Sequence, residues 1–157
     1  MRPLPGSLHT FRVATSQTCA TTSLEINFPK MMLLIVEDNA SMRQLIRRLT
    51  SDLADRVVEC ADGSEALAAY EQHHFSEADW VLMDLEMAVM DGLTATRQLR
   101  AAHPEARIVI VTRYNDKEVR TAATEAGACK FVPKENLLAL RQAITDIHTP
   151  DNAHINL

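Results

Sequence analysis

The sequence predicts an α/β protein: a doubly wound, five-stranded parallel sheet with helices on both faces. Two observations carry this. Five short apolar runs recur between Met31 and Val132, and each is followed by a segment whose apolar residues return at spacings of three and four. The runs are continuous rather than alternating, as expected of strands covered on both faces, and right-handed crossovers leave few other arrangements for them.

The elements follow in order. Met31 to Val36 is the first strand, bounded by Lys30 and the acidic pair Glu37-Asp38. Asn39 then caps a helix in which Met42, Leu45, Ile46, Leu49 and Leu53 face inward while Arg43, Arg47 and Arg48 stay in solvent. Val57 to Cys60 is the second strand, and Asp62 with Glu65 has the spacing of a capping box opening the helix that carries Ala66, Leu67 and Tyr70. Trp80 to Met83 is the third strand, ending at Asp84. Gly92 begins a helix that runs to about Ala102, with Pro104 preventing continuation. Ile108 to Val111 is the fourth strand, with Thr112 at its end. Asn115 and Glu118 repeat the capping-box spacing before Val119, Ala122, Ala123 and Ala126, and Gly127 supplies a left-handed stop. Lys130 to Val132 is the fifth strand, and Lys134 lies just beyond it. The last helix presents Leu137, Leu140, Ile144 and Ile147 until Pro150.

Outside this pattern, residues 1–30 are hydroxyl-rich, contain no acidic residue before Glu25 and show no sustained period. They are expected to be a poorly ordered extension, the tandem Met31-Met32 being a plausible translation start. Residues 31–148 then form one domain and 149–157 a short tail. A chain of 157 residues suits one core. With 16 basic and 21 acidic residues, a formal charge of -5 gives no general pull toward nucleic acid or an anionic membrane surface. The three cysteines, Cys19, Cys60 and Cys129, lack metal-ligand spacing and are too widely separated to suggest a disulfide framework, so a reducing, cytoplasmic location is expected. No apolar run approaches the roughly 20 residues needed to span a bilayer.

In a parallel sheet the carboxyl ends of the strands share one edge, where open α/β sheets place their chemistry. Glu37, Asp38, Asp84, Thr112 and Lys134 therefore converge on one crevice. Each has an ordinary explanation alone, as helix-end charge, turn cap or solvated lysine; their joint placement is what points to a site. Carboxylates at about 4 Å and an effective dielectric near 20 repel by roughly 4 kcal/mol per pair, so a cation is required. A set of hard oxygens without His or Cys suits Mg²⁺ or Mn²⁺. A metal, an ammonium and a hydroxyl around one carboxylate are the parts for phosphoryl transfer onto it, with Asp84 as nucleophile.

With these residues placed, the sequence resembles the receiver domain of two-component response regulators, whose flavodoxin-like fold agrees with the predicted sheet. The matching residues are Glu37-Asp38, Asp84 within Asp-Leu-Glu-Met-Ala-Val-Met-Asp-Gly, Thr112 after Ile-Val-Ile-Val, and Gly127 to Lys134. The segment ending at Lys134 is most similar to receivers that often precede helix-turn-helix output domains; the given sequence shows none. The resemblance implies that Asp84 accepts a phosphoryl group from a histidine kinase or phosphotransfer protein, with Mg²⁺ held by Asp38, Asp84 and the main-chain carbonyl of Glu86. Glu37 acts largely through a water on the metal, and Thr112 and Lys134 bind phosphoryl oxygens. Phe131 matches the aromatic switch position that follows Thr112 inward, altering a surface read by a downstream protein or by a second copy in a homodimer. No contact with nucleic acid or membrane is implied.

Several positions depart from the family pattern. Ala88 stands where Pro is usual, Glu135 follows the site lysine where many receivers have a Pro after a cis bond, and Arg113 replaces a small residue beside the pocket. Arg113 could steer phosphodonors, shield the acyl phosphate or simply be solvated. Glu86 and Tyr114 occupy positions that in this family influence access of the hydrolytic water. The first reading is thus a stand-alone receiver that catalyses only its own phosphorylation and dephosphorylation. A second is a haloacid-dehalogenase-like phosphatase, suggested by Asp84-Leu85-Glu86, although that family's nucleophile follows the first strand. A third is a binding module that uses the fold without phosphorylation.

Overall fold

The strands of the computed structural model, which describes residues 31–146, are β1 (Met32–Val36), β2 (Arg56–Cys60), β3 (Trp80–Met83), β4 (Arg107–Thr112) and β5 (Lys130–Pro133). They form one parallel sheet in the order β2-β1-β3-β4-β5. The helices are α1 (Ala40–Thr50), α2 (Ala66–Gln72), α3 (Gly92–Ala102), α4 (Lys117–Glu125) and α5 (Leu138–Thr145), with 3-10 turns at Gly63–Glu65 and Lys134–Asn136. The expected five strands and five helices are present. The leader, Ile147, Pro150 and the tail lie outside the described residues.

Alternate strand residues feed two cores. Leu34, Val36, Val81, Met83, Ile108 and Ile110 pack with Ala66 and Tyr70 of α2, Leu99 of α3 and Ala123 of α4. Leu33, Ile35, Leu82, Val109, Val111 and Val132 pack on the opposite face with Ile46 of α1 and Leu140 and Ile144 of α5. Because both faces of β1, β3 and β4 are covered, their apolar runs have no polar alternation to show.

Local chemistry sets the helix starts. Asn39 accepts from Met42 N–H at 3.0 Å, and Asp91 accepts from both the N–H and the hydroxyl of Thr94 at 2.9 and 2.7 Å. For α4 the capping residue is Asp116, which accepts from Val119 N–H at 2.9 Å, rather than Asn115, whose Oδ1 takes the Arg120 guanidinium. Both are good caps one position apart, and the carboxylate occupies the extended position that the cap requires. Gly127, at φ 100°, ends the helical region after α4 as the spacing predicts.

Two α1 residues differ from their expected faces. Leu45 is 43% exposed, and Arg43 is half-buried against β2 and the loop after β1. A helical period identifies a face; it does not say where the neighbouring strand stops covering it. Among the described residues, no helix is long and apolar enough to cross a membrane.

Candidate functional site

The strand register decides which side chains meet. Val36 lies opposite Met83 across β1 and β3, so Glu37 and Asp84, the next residues of each strand, emerge side by side. Asp84 N–H bonds the Val36 carbonyl at 2.9 Å, carrying the pairing one residue past the strand ends. Thr112 and Pro133 face each other across β4 and β5, delivering Lys134 to the same edge. The sheet order reverses between β1 and β3, and the crevice opens there.

Lys134 Nζ stands 2.8 Å from Glu37 Oε2 and 3.0 Å from Asp84 Oδ2. Asp84 Oδ1 accepts from Leu85 N–H at 2.8 Å, and Glu37 Oε1 from Asn39 N–H at 3.2 Å. Glu37, Asp38 and Asp84 each offer an oxygen within 4.8 Å of the others. Together with Glu86, Arg113 and Lys134 they line a cavity of about 400 Å³. A larger hollow of about 560 Å³ over the outer side of α1 gathers no comparable set, Arg47 there being already paired with Glu59.

Glu37 and Asp84 are buried. Burial is the largest influence on each and raises its pKa above the usual carboxylate range; Lys134 opposes it at both, and the Asp84 charge adds to it at Glu37. The folded site therefore binds protons more tightly than the unfolded chain. Stability from this source is fully present below the ordinary carboxylate range and is lost as pH rises through the raised values. In a metal chelator at pH 7, Glu37→Gln or Asp84→Asn is accordingly expected to stabilise the fold by about 1 to 3 kcal/mol. Either change should also flatten the fall in stability as pH rises from the ordinary carboxylate range to neutrality. Urea unfolding across that range checks it, and an unchanged slope with lowered stability at neutral pH would contradict it.

The rim is tied by Glu86, whose Oε1 accepts from Tyr114 Oη at 2.8 Å and whose Oε2 meets Arg113 Nη2 at 2.7 Å. These contacts join the loops after β3 and β4, and the Arg113 bond, followed by that of Tyr114, holds the pKa of the Glu86 carboxyl below its ordinary value. Thr112 is fully buried, its hydroxyl oxygen accepting from Tyr114 N–H at 3.3 Å. Phe131, opposite Ile110 on β4, is half-buried with the Arg120 guanidinium 4.5 Å over its ring. The described residues contain no cis peptide bond, so Lys134–Glu135 is trans, consistent with a glutamate in place of proline.

Three supports were not identified from the sequence as parts of the site. Arg43 Nη1 donates to the Glu37 carbonyl at 2.6 Å while its Nε meets Glu59 at 3.2 Å, bracing the acidic loop from β2. Asp62 caps its own turn through Ser64 N–H and also receives Val89 and Met90 N–H from the loop after β3. Asn39, read as a cap, also steadies Glu37. The Asp62 bonds cross 27 and 28 positions, and no local spacing reveals them.

The donor set fits a divalent metal. Glu37 Oε2 is buried without an aligned hydrogen-bond donor, its ammonium neighbour being a charge contact. All candidate ligands are hard oxygens, the type preferred by Mg²⁺ and Mn²⁺.

Comparison with known proteins agrees with this architecture. Residues 33–145 match the family model of the response regulator receiver domain. The chain is 33% identical over 124 residues to response regulator MprA of Mycolicibacterium vanbaalenii, covering 76% of this chain and 52% of that protein. It is also 33% identical over 103 residues to the chemotaxis protein CheY of Bacillus subtilis, covering 65% of this chain and 83% of that one. It thus spans about half of MprA but most of CheY. Among solved structures, Vibrio cholerae CheY4 superposes with a TM-score of 0.64 at 27% identity, covering 73% of this chain and 98% of that one. A LuxR-family response regulator from Aurantimonas superposes with a TM-score of 0.66 at 33% identity, covering 73% and 81%. These matches lend no support to a haloacid dehalogenase, and the nucleophile candidate follows β3 rather than the first strand. The chain belongs to the response regulator receiver domain family of two-component signalling.

Proposed function

We propose that Asp84 is the phosphoacceptor, taking a phosphoryl group from the phosphohistidine of a histidine kinase or phosphotransfer protein. The observation that carries this is the pairing of one lysine with two buried carboxylates at the register point of β1 and β3. An Asp84 oxygen attacks phosphorus, the P–N bond breaks, and its electron pair returns to the donor imidazole, which takes up a proton. Leu85 N–H orients the Asp84 carboxylate, and Lys134 offers its ammonium to the transferred oxygens. Asp38, Asp84 and the Glu86 carbonyl would hold Mg²⁺, with Glu37 completing the acidic wall. When bound, the ion supplies positive charge against the phosphoryl oxygens.

The same reading makes Thr112 and Phe131 the relay to an output surface. Drawing the Thr112 hydroxyl toward the phosphoryl group breaks its bond from Tyr114 N–H and frees space for Phe131 beside α4. The equilibrium between the two arrangements is then biased by one added dianion. A protein partner, or a second copy of the chain, would read that face in a cytoplasmic signalling role.

The test is intact-mass measurement after incubation with acetyl phosphate and Mg²⁺, and separately with a phosphorylated histidine kinase. One phosphoryl adduct on wild type and none on Asp84→Ala is expected. Absence of an adduct from both donors would favour use of the fold as a binding module without phosphorylation.

A further inference from the structure

Arg113 is a strongly basic residue in the wall of the phosphoacceptor cavity whose ion-pair partner is not a member of the reacting set. That wall contains four carboxylates, Glu37, Asp38, Asp84 and Glu86, against two cations, Lys134 and Arg113. Lys134 is already committed to two of the carboxylates, with its side chain only 10% exposed. The Arg113 side chain is 69% exposed and is held at the mouth through Glu86 Oε2 at 2.7 Å. Tyr114 independently holds Glu86 Oε1 at 2.8 Å, so Glu86 keeps a hydrogen-bond partner when the guanidinium departs.

Resting on the reading of Asp84 as phosphoacceptor, we propose that Arg113 is an exchangeable ligand of the phosphoryl group, released from Glu86 to bind its oxygens once Asp84 is modified. The charge balance supplies the reason. Transfer replaces the Asp84 monoanion by a dianionic acyl phosphate, adding one negative charge to a wall in which carboxylates already outnumber cations. A dianion with three peripheral oxygens outcompetes a single carboxylate oxygen for a planar guanidinium that presents paired donors. Arg113 directly follows Thr112, so its backbone is already placed at the phosphoryl end of β4. Glu86 thereby acts as the holder that Arg113 leaves, and its strength as a competitor sets how readily Arg113 engages.

The roles have opposite consequences. Removing Arg113 weakens phosphoryl binding, whereas removing the Glu86 charge strengthens it by freeing Arg113. A residue that merely stabilised the rim through the ion pair would give the same sign for both changes. The experiment uses the full 157-residue chain, with beryllium trifluoride and Mg²⁺ as a noncovalent phosphoryl mimic measured by isothermal titration, beside the half-life of the acyl phosphate by intact mass. Arg113→Ala is expected to weaken the mimic about tenfold and Arg113→Lys to recover part of the loss, while Glu86→Gln tightens it about threefold. Since Arg113 is exposed, its replacement leaves the core intact. Wild-type binding with equal affinities for Arg113→Ala and wild type, or changes of the same sign at Arg113 and Glu86, would overturn the exchange while leaving Asp84 as phosphoacceptor. No mimic binding and no adduct with wild type would overturn both readings.

Discussion

Replacing Lys134 with Met is expected to destabilise the metal-free protein at pH 7 by about 3 to 5 kcal/mol, the scale of removing one partner from a buried ionic group. The ammonium lies within 3.0 Å of both Glu37 and Asp84, and all three side chains are at most 10% exposed. Methionine keeps much of the apolar stem and deletes the charge, so the loss reports electrostatics rather than a cavity. Two carboxylates at about 4 Å then repel by roughly 4 kcal/mol at an effective dielectric near 20. They can be relieved by protonation, because burial already raises their pKa values and the lost ammonium no longer opposes it. The defect should therefore shrink as pH falls toward 4, and Glu37→Gln in the same chain should return much of the stability. Mg²⁺ should restore part of it by binding the folded state. Urea unfolding of wild type, both single variants and the double variant measures the coupling. A loss independent of pH, of Glu37 and of Mg²⁺ would make Lys134 an ordinary packing residue.

Much of this arrangement was legible in the sequence because the strands are short apolar runs that stop abruptly at polar residues. The third strand has the bounds Trp80 to Met83 that its apolar run implies, and the others lie within a residue at either end, so the sequence itself assigns Glu37, Asp84, Thr112 and Lys134 to one edge. A parallel sheet turns strand ends into neighbours, which local periodicity alone does not. What stayed hidden depends on contacts across the chain. Arg43 has the spacing of a solvent-facing helix residue, yet Glu59 and the Glu37 carbonyl hold it inward. Leu45 has the spacing of a core residue, yet it borders the site cavity. The choice between Asn115 and Asp116 as cap turned on backbone conformation, since both residue types suit the position. The Glu86 ties to Arg113 and Tyr114 join loops 27 and 28 positions apart, a closeness that follows only after β3 and β4 are paired.

The second large effect is expected at Gly92, where alanine should cost more than about 3 kcal/mol and weaken divalent-metal binding at the same time. Propensity alone argues the other way, since alanine is favoured over glycine in a helix by about 1 kcal/mol. Space decides it. A Cβ on Gly92 falls 1.9 Å from the Asp84 carbonyl oxygen, 2.8 Å from its carbonyl carbon and 3.0 Å from Leu85 Cα. All three atoms are backbone, so no side chain can rotate away. Gly92 N–H also bonds the Leu85 carbonyl at 3.0 Å, fastening the start of α3 to the residue after the phosphoacceptor candidate. Its φ is not in the positive region, unlike that of Gly127, so the requirement is the absence of a side chain rather than a special backbone conformation. Relief must come from displacing α3 or Asp84 itself, and the second route moves a carboxylate that faces Lys134 and clusters with Glu37 and Asp38, the candidate metal ligands. Denaturant unfolding and Mn²⁺ titration of Gly92→Ala would show both losses together. Gly127→Ala is the comparison: it places a non-glycine residue at φ 100°, costing roughly 1 to 2 kcal/mol at a helix end remote from Asp84, and leaves metal affinity unchanged. Equal stability of Gly92→Ala and wild type would mean that the close approach of α3 to the Asp84 backbone can relax freely. A stability loss with unaltered metal affinity would place the displacement in α3 and leave Asp84 fixed by β3.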